Sequence, residues 1–457
     1  MPVVNTHPIY ELHKQEWERT EDAAVGSPAL RRKPRRYLPE PWADTEKERY
    51  EAFVQRAYYT NYTGRTESVL QGMVFRKPPE SEIPTAMEPL LEDFDGNGDS
   101  IHQVAKFALA QRLRKGRFAF LVDYPASKPG LTKAEQNRLG LRPIVAPYLA
   151  ENLTNWRFQS VGGKKKLILA VLREQENTSD DEFGHDFDYR YRVLRLREGV
   201  YSQELVDEMG RILTPEFVPR QFNGQPFDYI PLHGVRDVTT APLQPIAELN
   251  LAHYWNTARL EDQVDVIGSP NLHIDVGETT IQEWVASNPS EFKLGGRMGT
   301  LTKGGRMDIV QAEERQLVRV VRQDKAEEMA SIGAAIVQKS GGTETAEAAR
   351  IRAGSETSQL DDVVNDLSED LEAVIESQAR FVGENPEQVK FTLNTDFFDA
   401  GLDATELQAI VSGQILYGRK AALHMIRRGR IELPEDQTDD ELLEDAASVT
   451  LDSEDML

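Results

Sequence analysis

The sequence predicts an α+β protein in which two long helices bracket a small β-containing insert. Three observations carry this. Apolar residues recur at helical spacing in several long segments, most clearly Leu360, Val363, Val364, Leu367, Leu371, Val374 and Ile375, which mark one face of a helix. Between residues 117 and 235 the pattern changes to short apolar runs bounded by Gly, Pro and charged residues, as strands require. A second strand-bearing piece, 267–310, then sits between two helical stretches.

Residues 7–25 read as a helix with Leu12, Trp17 and Thr20 among polar neighbours. The basic run "RRKPRR" (31–36) reads as a solvated surface arm. "YLPEPW" after it reads as extended chain, because proline blocks helix. Residues 45–73 read as a helix pair that ends at Pro78 and Pro79. Residues 100–115 read as an amphipathic helix through Ile101, Val104, Phe107, Ala108 and Leu113. "GRFAFLVDYP" (116–125) has an unbroken apolar centre and reads as a buried strand. Further strands are expected at "RPIVAPYL", "NWRFQSV", "KLILAVLREQE" and "YRYRVLRLREGVY".

From Pro242 the chain turns helical again, with Leu243, Ile246, Leu249, Tyr254 and Trp255 as its apolar stripe. The insert contains "NLHIDV" and "MGTLTKGGRMDIV", with "KGG" as a hairpin turn. Residues 311–339 read as a second strong helix. "KSGGTETAEAARIRAG" (339–354) follows it, where Gly341 and Gly342 end one helix and Thr343 caps the next. That next helix is expected to run from Glu344 to Val382, roughly 58 Å at 1.5 Å per residue. A short strand, "VKFTLN", comes next. One helix is expected at Asp403 with Glu406 as its capping box, and another over Arg419 to Arg428. The segment 434–457 has ten acids and no base, and reads as a solvated arm.

Composition excludes several classes. A net charge of −23 argues against gripping nucleic acid through phosphate neutralisation, which needs excess Lys and Arg. It leaves room for a protein that DNA must pass without sticking. No cysteine is present, so disulfides, thiolate metal sites and a Cys nucleophile are excluded. The first residues lack the apolar core of a signal peptide, and no run approaches the roughly 18 apolar residues of a membrane span. The expectation is a soluble protein made in the cytoplasm.

Candidate chemistry is sparse. "DFDGNGDSIHQV" (93–104) resembles a calcium loop, with Asp93, Asp95, Asn97 and Asp99 at the first four ligand positions and Gly98 at the turn. The bidentate Glu that the scheme demands is Val104, and Ile101 is no ligand either. A turn whose Asp99 or Ser100 caps the next helix accounts for the same residues. "KSGGTETAEAAR" lacks the lysine and the leading strand of a P-loop, and Glu344 and Glu347 would repel a phosphate. The eight histidines are scattered with no ligand spacing. The expectation is therefore no catalytic residue, no metal and no cofactor. A metal-dependent enzyme using Asp93–Asp99 is the alternative outside this class.

Several phrases, in order, resemble the phage portal proteins, or head-to-tail connectors. They are "TGRTESVLQGMVFRKPP" (63–79), "GRFAFLVDYP" (116–125), "YLAENLTNWRF" (148–158), "LREGVY" (196–201), "IAELNLAHYWNTARLED" (246–262) and "MASIGAAIV…ETAEAARIRAGSETSQL" (329–360). The resemblance covers roughly residues 7–430. It implies a ring, usually of twelve copies, at one capsid vertex, through which double-stranded DNA is packaged and ejected. It implies a wing over 1–241, stem helices over 242–266 and 311–338, and a clip over 267–310. A tunnel loop would occupy 339–346, a long helix and wing return 347–400, a helical crown 401–433 and an acidic tail 434–457. The tunnel loop would turn Lys339, Ser340, Gly341, Gly342, Thr343, Glu344 and Thr345 towards DNA. Clip residues Lys303, Gly304, Gly305 and Arg306 would meet the terminase large subunit and then the head–tail adaptor. Other implied partners are further copies of the chain, major capsid and scaffolding proteins, and no membrane. The implied location is the virion, with host cytoplasm during assembly. The alternative within this class is another virion neck or capsid component.

Overall fold

The structure, a computed structural model, describes residues 2–40, 47–125, 141–179, 181–268, 271–275, 280–287, 306–310, 316–336 and 358–397, together with Glu135 and Arg138. It is α+β. Helix α1 (Pro8–Val25) starts on a proline that needs no partner for its missing N–H. His7 caps it, its Nδ1 accepting from the Ile9 N–H at 3.2 Å. Its buried side runs through Tyr10, Trp17, Thr20 and Ala23, whereas Leu12 is 69% exposed and is not part of the core stripe.

The basic run is not a free arm. Prolines 28 and 34 each sit in the first turn of a short helix, α2 (Ser27–Arg32) and α3 (Pro34–Tyr37), where proline favours helix rather than blocking it. Lys33 reaches Glu18 and Asp22, both at 2.7 Å, and Arg36 reaches Glu18 at 2.7 Å. These pairs fold the run back onto α1, and Tyr37 and Leu38 are buried behind it.

Helices α4 (Lys47–Arg56) and α5 (Tyr62–Val74) form the expected pair. Gly64 in α5 lies against α1, where a Cβ would stand 2.6 Å from the Ala24 carbonyl oxygen. A short strand β1 (Glu80–Glu82) and helix α6 (Glu88–Glu92) lead to α7 (Ile101–Lys115). Of the α7 stripe, Phe107 is 47% exposed, while Ile101, Val104, Ala108 and Leu113 are buried.

Strand β2 (Phe118–Asp123) is the centre of a three-stranded sheet. It pairs antiparallel with β3 (Ile144–Leu149), Phe118 opposite Leu149. Its other neighbour is β9 (Leu232–His233), with Phe120 opposite His233. A central strand covered on both faces needs apolar residues throughout, which explains its unbroken run. The second sheet is an antiparallel meander of five strands. They are β4 (Leu153–Val161), β5 (Lys164–Asn177), β6 (Phe187–Arg197), β7 (Val200–Asp207) and β8 (Ile212–Phe217). The stretch read as one strand over 189–201 is a hairpin. Glu198 (φ 51°) and Gly199 (φ 75°) both adopt the left-handed region, the geometry of a tight two-residue turn.

Helix α8 (Gln244–Gly268) packs along α10 (Leu317–Ala335). Between them lie β10 (Asn271–Asp275), α9 (Ile281–Ser287) and β11 (Arg306–Val310). β10 and β11 pair antiparallel from Asn271 opposite Val310 to Asp275 opposite Arg306. The "KGG" turn falls outside the described residues.

Helix α11 (Gln359–Val382) is shorter than expected. Ser358 is extended (φ −82°, ψ 162°) and forms a capping box with Asp361, so no helix runs unbroken from Glu344. Its 24 residues span about 36 Å at 1.5 Å per residue. Leu360, Val364, Leu367, Leu371, Val374 and Ile375 are fully buried in the main core with β2 and α7. Strand β12 (Lys390–Thr392) then pairs with β1, which ties this part of the chain to the N-terminal part. A second core joins Ala247, Leu251, Tyr254 and Ala258 of α8 to Leu30, Tyr37, Leu38, Tyr50 and Phe53. The helices expected at Asp403 and Arg419, and the acidic arm, lie outside the described residues.

Candidate functional site

Most of the residues singled out by the sequence lie outside the described part. Lys339, Ser340, Gly341, Gly342, Thr343, Glu344 and Thr345 do, as do Lys303, Gly304 and Gly305. Arg306 opens β11 opposite Asp275. What the structure does give is the frame around the glycine-rich stretch. Ile336, at the end of α10, is buried, and its carbonyl accepts from the Leu360 N–H at 3.2 Å. The described chain on the two sides of this stretch, at Ile336 and at Ser358–Leu360, is thus held together by a hydrogen bond. The intervening residues, 337–357, lie outside the described part.

The base of the α8–α10 pair is fixed to the N-terminal helices by polar contacts. Asn250 of α8 is fully buried. Its Oδ1 accepts from the Tyr59 hydroxyl at 2.7 Å and from the N–H and hydroxyl of Thr63, both at 3.1 Å. Its Nδ2 donates to the Thr60 carbonyl at 2.9 Å. Both ends of the amide are bonded, so a slip of α8 against the α4–α5 turn would strand buried polar groups. Farther along, Arg56 reaches Asp265 at 2.5 Å and Asp262 at 3.4 Å.

Two concavities flank this base. A cleft of about 1060 Å³ lies between α1, α3 and α8. Many of its charges are paired: Lys33 with Glu18 and Asp22, Arg36 with Glu18, and Lys115 with Glu151 at 2.8 Å. Tyr37 donates to Asp22 at 2.5 Å, and burial followed by that bond pushes its hydroxyl far above the usual range. None of these groups is free to act as acid, base or ligand. The second pocket, about 360 Å³, lies where α8, α10 and the chain before α5 meet. His253 lines it and is 4% exposed. Burial, helped by Arg322 and Lys325, holds its ring down to about 4, so it is neutral near pH 7.

The calcium-like loop is closed on itself. Asp93 accepts from the Gly98 N–H at 2.8 Å and pairs with Arg142. Asp95 accepts from the N–H groups of Asn97 and Asp99 at 2.9 and 3.2 Å. Ser100, one of the two capping candidates, is the N-cap of α7, and Gln103 completes a capping box. Among the described residues, no three His, Asp or Glu side chains are grouped as metal ligands. Among the described helices, none is long and apolar enough to cross a membrane.

The sequence reading missed the Asn250 hub and the small pocket. Both draw on residues far apart in the chain, and neither has a local spacing that marks it.

A family model, the domain of unknown function DUF4055, matches residues 242–382, the stretch from α8 through α11. No curated protein matches the chain. Among solved structures, a chain of the virion of a native gene transfer agent (GTA) particle aligns at 13% identity and TM-score 0.36. It covers 84% of this chain and 92% of its own. A chain from the neck of an empty GTA particle aligns at 13% identity and TM-score 0.35, covering 79% and 86%.

Proposed function

We propose that this protein is a viral portal protein: a ring channel at one capsid vertex through which double-stranded DNA enters and leaves. The observation that carries the reading is the pair α8 and α10, packed along each other and bracketing an insert closed by the β10–β11 ladder. This is the order of stem, clip and stem that the sequence phrases imply. The α/β body before α8 corresponds to the wing, and α11 returns to that body through the main core. On this reading the tunnel loop is 339–346, and the Leu360–Ile336 hydrogen bond, which holds together the chain on either side of it, supports a loop there. On this reading the chain has no catalysis of its own. Its insert docks the terminase large subunit and later a head–tail adaptor, and capsid and scaffolding proteins surround the ring. The net charge of −23 suits a passage that must not bind DNA tightly, because tight phosphate contacts would stall a moving duplex.

Negative-stain imaging of the purified full chain tests this. Closed rings with a central hole, twelve-fold in averaged top views, are the expected result. Discrete monomers, or rings with no hole, would overturn it, and a stacked collar without the channel would favour another neck component.

A further inference from the structure

We propose that the small pocket at the α8–α10 junction binds an oxyanion of the phosphate type. Arg319 and Arg322 stand one turn apart on α10 and both line it, with His253, Tyr58, Tyr62 and Gln323. Among the described residues that line it, none is acidic. In a chain of net charge −23, two guanidiniums facing one cavity without a carboxylate are out of character. Arg322 donates to the Tyr58 hydroxyl at 2.9 Å, which uses one of its N–H groups and leaves the rest of the fork free. Nothing among the described residues pairs with Arg319.

The buried histidine is the second observation. Its ring packs edge-on against Tyr62 with centroids 5.4 Å apart, and its Nδ1 has no hydrogen-bond partner. An unpaired buried ring nitrogen costs stability, and a bound anion or its water would relieve that cost. Paired guanidinium forks and hydroxyl donors are the groups that match the oxygens of a phosphate. The pocket is too small for a folded partner and large enough for a phosphate with part of its substituent. The group is therefore either a free phosphate or phosphate ester, or a backbone phosphate of nucleic acid.

Isothermal titration of the full chain with inorganic phosphate at low salt tests the site. Saturable binding of one phosphate per chain is expected. It should weaken by about tenfold or more in Arg319→Gln/Arg322→Gln, and less in Arg319→Gln alone. The single variant breaks no hydrogen bond or ion pair among the described residues, and thermal melts check the fold of both variants. Acetate should not compete. A titration with a short duplex lacking terminal phosphates separates the sources. Weaker duplex binding in the double variant assigns the site to DNA backbone, and unchanged duplex binding assigns it to a small phosphate. No saturable phosphate binding by the parent protein, equal binding by the double variant, or full competition by acetate would overturn the proposal. These results do not depend on whether rings are seen.

Discussion

Arg112 of α7 and Asp370 of α11 form an ion pair whose side chains are only 7% and 10% exposed. Arg236 joins from the loop after β9, reaching Asp370 at 3.3 Å, Asp366 at 2.5 Å and Glu369 at 3.0 Å. Removing one member leaves the other charged and out of water. Asp370→Ala should cost about 3–5 kcal/mol in urea unfolding. Arg112→Met with Asp370→Leu should recover most of it. If the double variant is no better than the single, the cost lies in packing and not in the stranded charge.

Arg117 is the opposite case. It is 3% exposed and lies over the Trp156 ring at 3.8 Å, and Nε, Nη1 and Nη2 all lack hydrogen-bond partners. Burial pulls the guanidinium down to about 9, with Asp237 opposing, so it is still charged at neutral pH. Contact with the ring returns about 2 kcal/mol, less than the several kcal/mol needed to take a cation out of water. Arg117→Met should therefore raise stability, by about 1–2 kcal/mol. A lower melting temperature would show that the cation is better satisfied than its geometry indicates.

His233 gives a pH dependence. Its Nε2 lies 2.8 Å from the Ser377 hydroxyl, which also lies 2.9 Å from the Tyr229 hydroxyl. Burial lowers the ring from 6.5 to about 4, with Asp370 opposing. Above pH 6.5 the ring is neutral in both the folded and unfolded chain. As pH falls towards 4 the unfolded chain takes up a proton that the folded chain refuses, so stability is lost. Between pH 7 and pH 5 this amounts to about 2 kcal/mol. Other groups titrate too, so the measure is the difference between parent and His233→Gln. The variant's loss of stability over that range should be smaller by this amount, and equal losses would remove His233 as the cause.

The glycine-rich stretch offers a functional test. If Gly341 and Gly342 let it move as DNA passes, Gly341→Pro with Gly342→Pro should leave assembly intact and impair packaging. Normal packaging by that variant would sink the tunnel-loop assignment.

Local chemistry decided what could be read from the chain. Helices α1, α7, α8 and α10 were legible because each buries a stripe against one layer, and β2 because a strand covered on both faces is apolar throughout. The failures have physical causes. The basic run 31–36 read as a solvated arm because the acids on α1 that hold Lys33 and Arg36 precede them by eleven or more residues. The start of α11 was hidden because "SETSQLDD" continues helix-compatible composition through its own cap at Ser358. The Glu198–Gly199 turn uses a non-glycine residue in the left-handed region, which the sequence does not advertise. Of the small pocket nothing could be read, since Tyr58, His253 and Arg322 come together only in the fold.

The hydrogen bond from Leu360 to Ile336 fixes where the segment between them must begin and end. For any flexible segment with its ends held so, the cost of closure depends on length only logarithmically, about 0.6 kcal/mol for each doubling. Longer, shorter or differently charged versions could be spliced in at Ile336 and Ser358 while the core on either side keeps its register. Selection would then be free to retune this segment while the frame stays as it is.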